Sequence, residues 1–201
     1  MVQTEKDNIQ NLLLNIGRKM VSENGTEALT ARKLSEASGC SVGAIYNQFS
    51  NMDNFIVIEN YMTLDALGRK LAKVGQTQNP FFDLNNLIEA FVDFVLKNKN
   101  LWYMLYQFHL SKHEHVYTFL YLRKVVKVTR HLSEIICRIV PQMERPERIL
   151  SSEVLWLTVF ALSSFLSKDM LDSMPKVGRK ALCQILVNTY VAGLTVIENK
   201  E

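Results

Sequence analysis

Cysteine is scarce in this 201-residue chain: Cys40, Cys137 and Cys183 are far apart, odd in number and in no CxxC pair. That spacing argues against a disulfide framework and fits a reducing cytoplasm. Only four prolines and eight glycines occur, so most of the chain is free to be helical. No apolar run is long: the longest, 154–166, is thirteen residues and is interrupted by Thr158, Ser163 and Ser164. Such a run is too short to span a bilayer and reads as a buried helix, so no membrane partner is expected. The first ten residues are polar, without the apolar centre of a secretion signal. Catalytic signatures are missing as well: there is no GxSxG, no GxxxxGK loop, no GxGxxG and no HExxH. His109 and His113 have the spacing of two metal ligands on one helix face, but no third ligand is fixed beside them. Neither an enzyme, nor a cofactor, nor a metal site is expected.

A local surplus of positive charge is also lacking where it would be most informative. The net charge is +3, yet residues 1–75 hold eight Lys/Arg against eight acids and are formally neutral. The excess lies in 97–148, with ten Lys/Arg and four Glu. Phosphate-backbone affinity is dominated by electrostatics, so charge alone does not point to the N-terminal part.

What is present is a pattern of helices, nine in all, and an all-α fold with three of them in an N-terminal head. Ile9, Leu12, Leu13, Ile16 and Met20 form an amphipathic stripe over 5–23, stopped by Asn24-Gly25. The stretch 31–49, ARKLSEASGCSVGAIYNQF, follows. Thr30 is a good N-cap for a short helix with Ala31, Leu34 and Ala37 on one face. Gly39 suits a left-handed helix end, and Ser41 is an N-cap for a second helix that turns Val42, Ile45 and Phe49 inward. Helix, glycine-containing turn, helix is the helix-turn-helix pattern, whose second helix enters the DNA major groove. A long helix is expected over 52–74, then a polar loop at 75–79. Asn79-Pro80 opens a helix to about Lys97. Beyond it come an aromatic segment at 101–110 and helices over 113–140, 146–171 and 175–198. The domains expected are a DNA-binding head at 1–51, a connecting helix at 52–75 and a C-terminal part at 76–201.

The signature running from Gly25 through Leu29-Thr30-x-Arg32-x-Leu34-Ser35 and Gly39-x-Ser41-x-Gly43-Ala44-Ile45-Tyr46 to Phe49 closely resembles that of the tetracycline-repressor (TetR) family of bacterial regulators. The resemblance covers about 9–56; beyond residue 60 it is one of layout. It implies a homodimer whose two recognition helices read the half-sites of a palindromic operator in double-stranded DNA. It further implies a C-terminal cavity for a small-molecule effector, and dimerisation through the last two helices. By position, Thr30 and Arg32 would lie at the DNA edge of the first motif helix, and Val42, Gly43, Ala44, Asn47 and Gln48 on the exposed face of the second. Ser41, at its cap, belongs with them, and Tyr46 would touch a phosphate. Met52 stands where many members carry a lysine against the backbone. Asn47 or Gln48 suits adenine, and Val42 or Ala44 a thymine methyl, while Arg32 is the one evident guanine reader.

Trp102, Tyr103, Tyr106 and Phe108, with Trp156 and Phe160, are candidates to line the effector cavity, although aromatics at helical spacing also make plain core. Val187, Val191 and Leu194, with Tyr190 beside them, are candidates for the apolar contact between two chains. The function expected is that of a cytoplasmic repressor whose operator binding is controlled by an apolar ligand. Two alternatives stay open at this level: a DNA-binding architectural protein that needs no ligand, and an all-α enzyme or protein-binding module with a vestigial helix-turn-helix.

Overall fold

The computed structural model describes residues 2–110, 119–167 and 178–198. Among the described residues are nine α-helices and no strand, in agreement with the all-α expectation. They are α1 (Val2–Asn24), α2 (Ala31–Ser38), α3 (Val42–Phe49), α4 (Met52–Leu71), α5 (Pro80–Lys97), α6 (Lys99–Leu110), α7 (Phe119–Ile139), α8 (Arg145–Ser167) and α9 (Arg179–Glu198). The expected helix starts at His113 and Pro175 and the end near Leu171 lie outside the described residues. So does His113 as a candidate metal ligand. The chain divides into two compact units, 1–63 with 98–119, and 64–97 with 120–201.

In the first unit, Leu13, Leu14, Leu34, Ile45, Phe49 and Phe55 form the core, with Ile9, Ile16, Met20 and Met52 packed against it. Two expected orientations change. Leu12 points to solvent at 46% exposure while Leu14 is buried, and Val42 is exposed rather than inward. At Leu12 helical spacing left three consecutive leucines to choose from, and packing took Leu13 and Leu14; at Val42 the first turn of α3 lies outside the core that Ile45 and Phe49 enter. Phe49 and Phe55 meet edge to face, ring centroids 4.7 Å apart. Gly17 lets α1 lie close to that ring: a Cβ placed there would sit 2.5 Å from Phe55 Cζ. After α1 ends at Gly25, whose φ is +80, a single 3-10 turn at Thr26–Ala28 leads to α2. The short α6 closes the unit. Its Leu101 and Met104 pack with Val21 of α1, Asn100 Nδ2 donates to Ser22 O at 2.9 Å, and Thr26 Oγ1 donates to Gln107 Oε1 at 3.2 Å.

In the second unit α5 is the central helix, packed on both α8 and α9. Its inner face is continuous from Leu84 to Val95, and Phe91 meets Trp156 edge to face at 5.5 Å. Asn79 Oδ1 accepts from Phe81 and Phe82 N–H at 3.0 and 3.2 Å, the expected N-cap. A buried acid fixes the segment before it. Asp83 accepts from Thr77 N–H and Oγ1–H and from Arg138 Nη1 of α7 at 2.6 Å. Burial opposes its charge, but the bonds from Arg138 and Thr77 outweigh that and hold the carboxyl below its ordinary range.

The apolar run read as too short to span a bilayer lies within α8, which at 23 residues is long and apolar enough to cross a membrane by length and composition, with 39% of its most apolar part buried within the protein. Two faces explain the composition. One, with Leu155, Trp156, Val159 and Phe160, is core; the other exposes Leu150, Val154 and Leu157 at 63%, 50% and 61%.

Candidate nucleic-acid interface

The residues of the motif are held by short local bonds, which is why their arrangement was legible. Thr30 Oγ1 accepts from Lys33 N–H at 3.2 Å and caps α2; Ser41 Oγ accepts from Ala44 N–H at 3.1 Å and caps α3. Gly39 ends α2 at φ +72, a left-handed conformation open to glycine at little cost. Two further bonds brace the turn: Ser35 Oγ donates to Cys40 O at 2.6 Å, and Cys40 N–H donates to Ser38 Oγ at 3.2 Å.

With Ile45 and Phe49 anchored in the core, the opposite side of α3 is determined. Ser41, Val42, Gly43, Tyr46 and Asn47 are exposed, Thr30 and Arg32 are exposed beside them, and Ala44 and Gln48 are half-buried. Tyr46 is 43% exposed although it is a large aromatic. At Gly43 a Cβ would meet nothing nearer than Ser41 Oγ at 3.9 Å. Internal packing therefore does not require glycine there; its effect is to keep the surface low where α3 begins.

The electrostatics of this surface are balanced rather than basic. Arg32 Nε donates to Glu36 Oε1 at 3.1 Å, both side chains largely in solvent. Lys33 Nζ donates to Glu27 O at 3.1 Å. At the start of α4, Asn51 Oδ1 accepts from Asn54 N–H at 2.7 Å, Asp53 is exposed in the first turn, and Met52 packs on the head core. Sequence reading missed Glu36 and Asn51. Both had a local signal: the i,i+4 spacing from Arg32, and an asparagine at a helix start.

The other candidate residues separate. Trp102 and Phe108 are buried and Tyr103 and Tyr106 half-buried in the first unit, whereas Trp156 and Phe160, 5.6 Å apart, stand in the second. None of the six lines the groove of about 590 Å³ that opens in the second unit between Phe81, Phe82 and Asn85 of α5 and Gln184, Asn188 and Ala192 of α9. Val187, Val191 and Leu194 are 2%, 8% and 3% exposed within the protomer, and Val187 and Val191 also line the groove between α5 and α9. Tyr190 is half-buried and donates to Ser151 O at 2.6 Å, and burial pushes its phenol up to about 12. Both sides of α9 carry apolar residues, so spacing alone could not say which turned inward. Among the described residues no group of three His, Cys, Asp or Glu is placed to hold a metal ion.

Residues 13–57 match the family model for bacterial regulatory proteins of the tetR family. No curated protein matches the sequence. Several solved structures share the fold. A protein of unknown function from Rhodococcus sp. RHA1 aligns at TM-score 0.72 and 15% identity, over 92% of this chain and 94% of its own. A TetR-family regulator from Streptomyces coelicolor gives 0.68 and 13%, over 95% and 82%. The fatty acid degradation regulator FadR from Bacillus halodurans gives 0.63 and 16%, over 91% and 98%. At these identities the likeness speaks for the fold, and the family model speaks for the head. Residues 13–57 thus carry a helix-turn-helix that matches the tetR family of bacterial regulatory proteins, set in an all-α fold shared with solved TetR-family regulators.

Proposed function

We propose that the protein is a DNA-binding transcriptional repressor that grips a palindromic operator as a homodimer and releases it when a small apolar ligand enters its C-terminal part. The observation that carries the reading is the outer face of α3. Tyr46 and Asn47 reach solvent beside Gly43, on a helix whose other side is locked in the core. The working parts are the head at 1–51, the connecting helix at 52–75 and the ligand and dimer part at 76–201. Asn47 pairs with adenine and Val42 with a thymine methyl, Arg32 serves as guanine or phosphate contact, and Tyr46 touches the backbone. A dimer presents two such faces about one helical turn, ~34–36 Å, apart. The ligand acts only through its different affinity for the DNA-competent and incompetent arrangements, and DNA weakens the ligand by the same factor.

The test is a binding selection from random DNA, followed by titration of the selected site with wild type and Tyr46→Ala. A palindromic, A·T-leaning consensus is expected, with Tyr46→Ala weakening it by roughly tenfold, the equivalent of about 1.4 kcal/mol. Failure to enrich any sequence at moderate salt overturns the proposal. A G·C-rich half-site centre refutes the assigned base readers only.

A second expected result concerns Arg32. Its exposed pair with Glu36 is worth little to the fold, about 0.3–0.5 kcal/mol for an i,i+4 pair, but it places a carboxylate on the DNA side. Glu36→Gln should leave the melting temperature nearly unchanged and tighten DNA severalfold at low salt. Equal affinity for the two proteins would show that Arg32 is not at the DNA.

A further inference from the structure

We propose that Glu59 is a proton-controlled latch between α1 and α4 in the first unit: protonated, it keeps the two helices closed, and ionised, it drives them to part and admit water. The geometry is that of a charge only half provided for. The Glu59 side chain is fully buried, on the part of α4 that belongs to the first unit. One carboxylate oxygen, Oε2, accepts from Arg18 Nη1 of α1 at 3.1 Å; the other, Oε1, is buried with no partner. Arg18 is 22% exposed and shares the same nitrogen with Thr63 Oγ1 at 3.1 Å and Glu59 O at 3.4 Å, so its charge is spread over three acceptors. The next residue, Asn60, is fully buried with neither end of its amide bonded. The middle of α4 thus holds three polar atoms that would gain hydrogen bonds if water reached them.

Among the described residues, Arg18 is the one charged group acting on Glu59. On α1, the neighbouring Lys19 and Glu23 are exposed and paired with each other. On α6, Leu101 and Met104 pack with Ile56 of α4, three residues before Glu59, and neither titrates. On α4 itself, Thr63 is neutral and donates to Glu59 O at 3.0 Å. One ion pair does not balance the loss of water: burial pushes the Glu59 carboxyl up from 4.5 to about 7, against the pull of Arg18.

The direction of the latch follows by linkage. The closed form holds the proton up to about 7, while a hydrated Glu59 releases it near 4.5. The stability this group lends the closed contact is complete below 4.5 and is lost as the pH climbs through about 7. Opening therefore becomes easier by roughly tenfold between pH 6 and pH 8. If the head serves DNA as proposed above, its grip becomes pH-dependent. That consequence rests on that reading; the latch itself does not.

The experiment needs no DNA. Hydrogen exchange of the α1 amides around Arg18 is followed in the intact protein between pH 6 and 8, corrected for intrinsic rates, beside Glu59→Gln. Protection in wild type should fall about tenfold across that range, while Glu59→Gln, neutral at every pH, should stay protected at pH 8. A flat wild-type profile, or a variant as labile at pH 8 as wild type, overturns the latch. Should the variant fail to fold, the side-chain carboxyl of Glu59 in wild type is titrated by carbon-13 NMR. A midpoint within about one unit of 7 supports the proposal, and a midpoint near 4.5 overturns it.

Discussion

Gly17→Val should be among the most damaging single substitutions in the first unit, costing about 3 kcal/mol by overpacking, with Gly17→Ala toward the lower end of the usual 1–3 kcal/mol range. A Cβ at this position falls 2.5 Å from Phe55 Cζ, 2.8 Å from Cε1 and 3.3 Å from Leu29 Cδ1. The ring cannot simply swing aside. Phe55 is fully buried and meets Phe49 edge to face, and Phe49 is one of the two residues that anchor α3. Moving Phe55 would therefore shift the recognition helix, and moving α1 would open the contact between Leu13, Leu14 and Leu34. Helix propensity runs the other way, since alanine is favoured over glycine by about 1 kcal/mol in a helix interior. Gly43→Ala provides the control. It also sits in a helix, but with open space at the Cβ, so it should be neutral or slightly stabilising in the free protein. Denaturant unfolding of the three proteins checks the contrast; a Gly17→Val protein as stable as wild type would show that α1 and α4 are not in this close approach.

In the homodimer proposed above, Leu157→Glu should convert the dimer to monomers while leaving the fold of each chain intact. Leu150, Val154 and Leu157 follow one another at intervals of four and three residues along α8, a seam spacing that brings them onto one side. More than half of each Leu150 and Leu157 side chain is in water, and Ile185 on α9 is likewise 57% exposed. Large apolar side chains in such a row mark an interaction surface, and a two-fold contact would bury the same row from each chain. A carboxylate at 157 costs little in the monomer, where the position is exposed. In the dimer it would bury two unpaired charges, so association should weaken by ~10²-fold or more. Sedimentation at micromolar concentration reads the change, with circular dichroism to show that helix content is kept. Operator affinity should fall with it, because each head then binds its half-site alone. A Leu157→Glu protein that stays dimeric would move the interface away from this seam.

The head was legible because its determinants lie within a few residues of one another. Thr30 to Lys33, Ser41 to Ala44 and the positive φ at Gly39 are bonds and conformations closed inside a single turn, so residue type and spacing suffice. Ile45 and Phe49, four apart, turned inward as their spacing required, and that alone fixed which side of α3 faces solvent. The all-α fold and the break at Gly25 followed from equally local signals.

Other features depend on residues far apart in the chain. Arg18 and Glu59 are 41 positions apart, and neither has a neighbour in sequence that announces the other. Gly17 reads as an ordinary weak point in a helix until Phe55 is laid across it. Nothing local in 98–119 marks its return to the first unit, because an amphipathic helix such as α6 packs on whatever apolar face it meets. The two apolar sides of α8 and α9 present the same difficulty. Periodicity shows that a helix has an apolar stripe, but where there are two, only the packing of α5 decides which becomes core and which is left for a partner. By itself, then, the sequence of this protein determined its helices, their caps and the face of α3. Tertiary structure decided the close approach at Gly17, the half-paired acid at Glu59 and the exposed seam of α8, because each is set by a contact between segments that carry no local trace of one another.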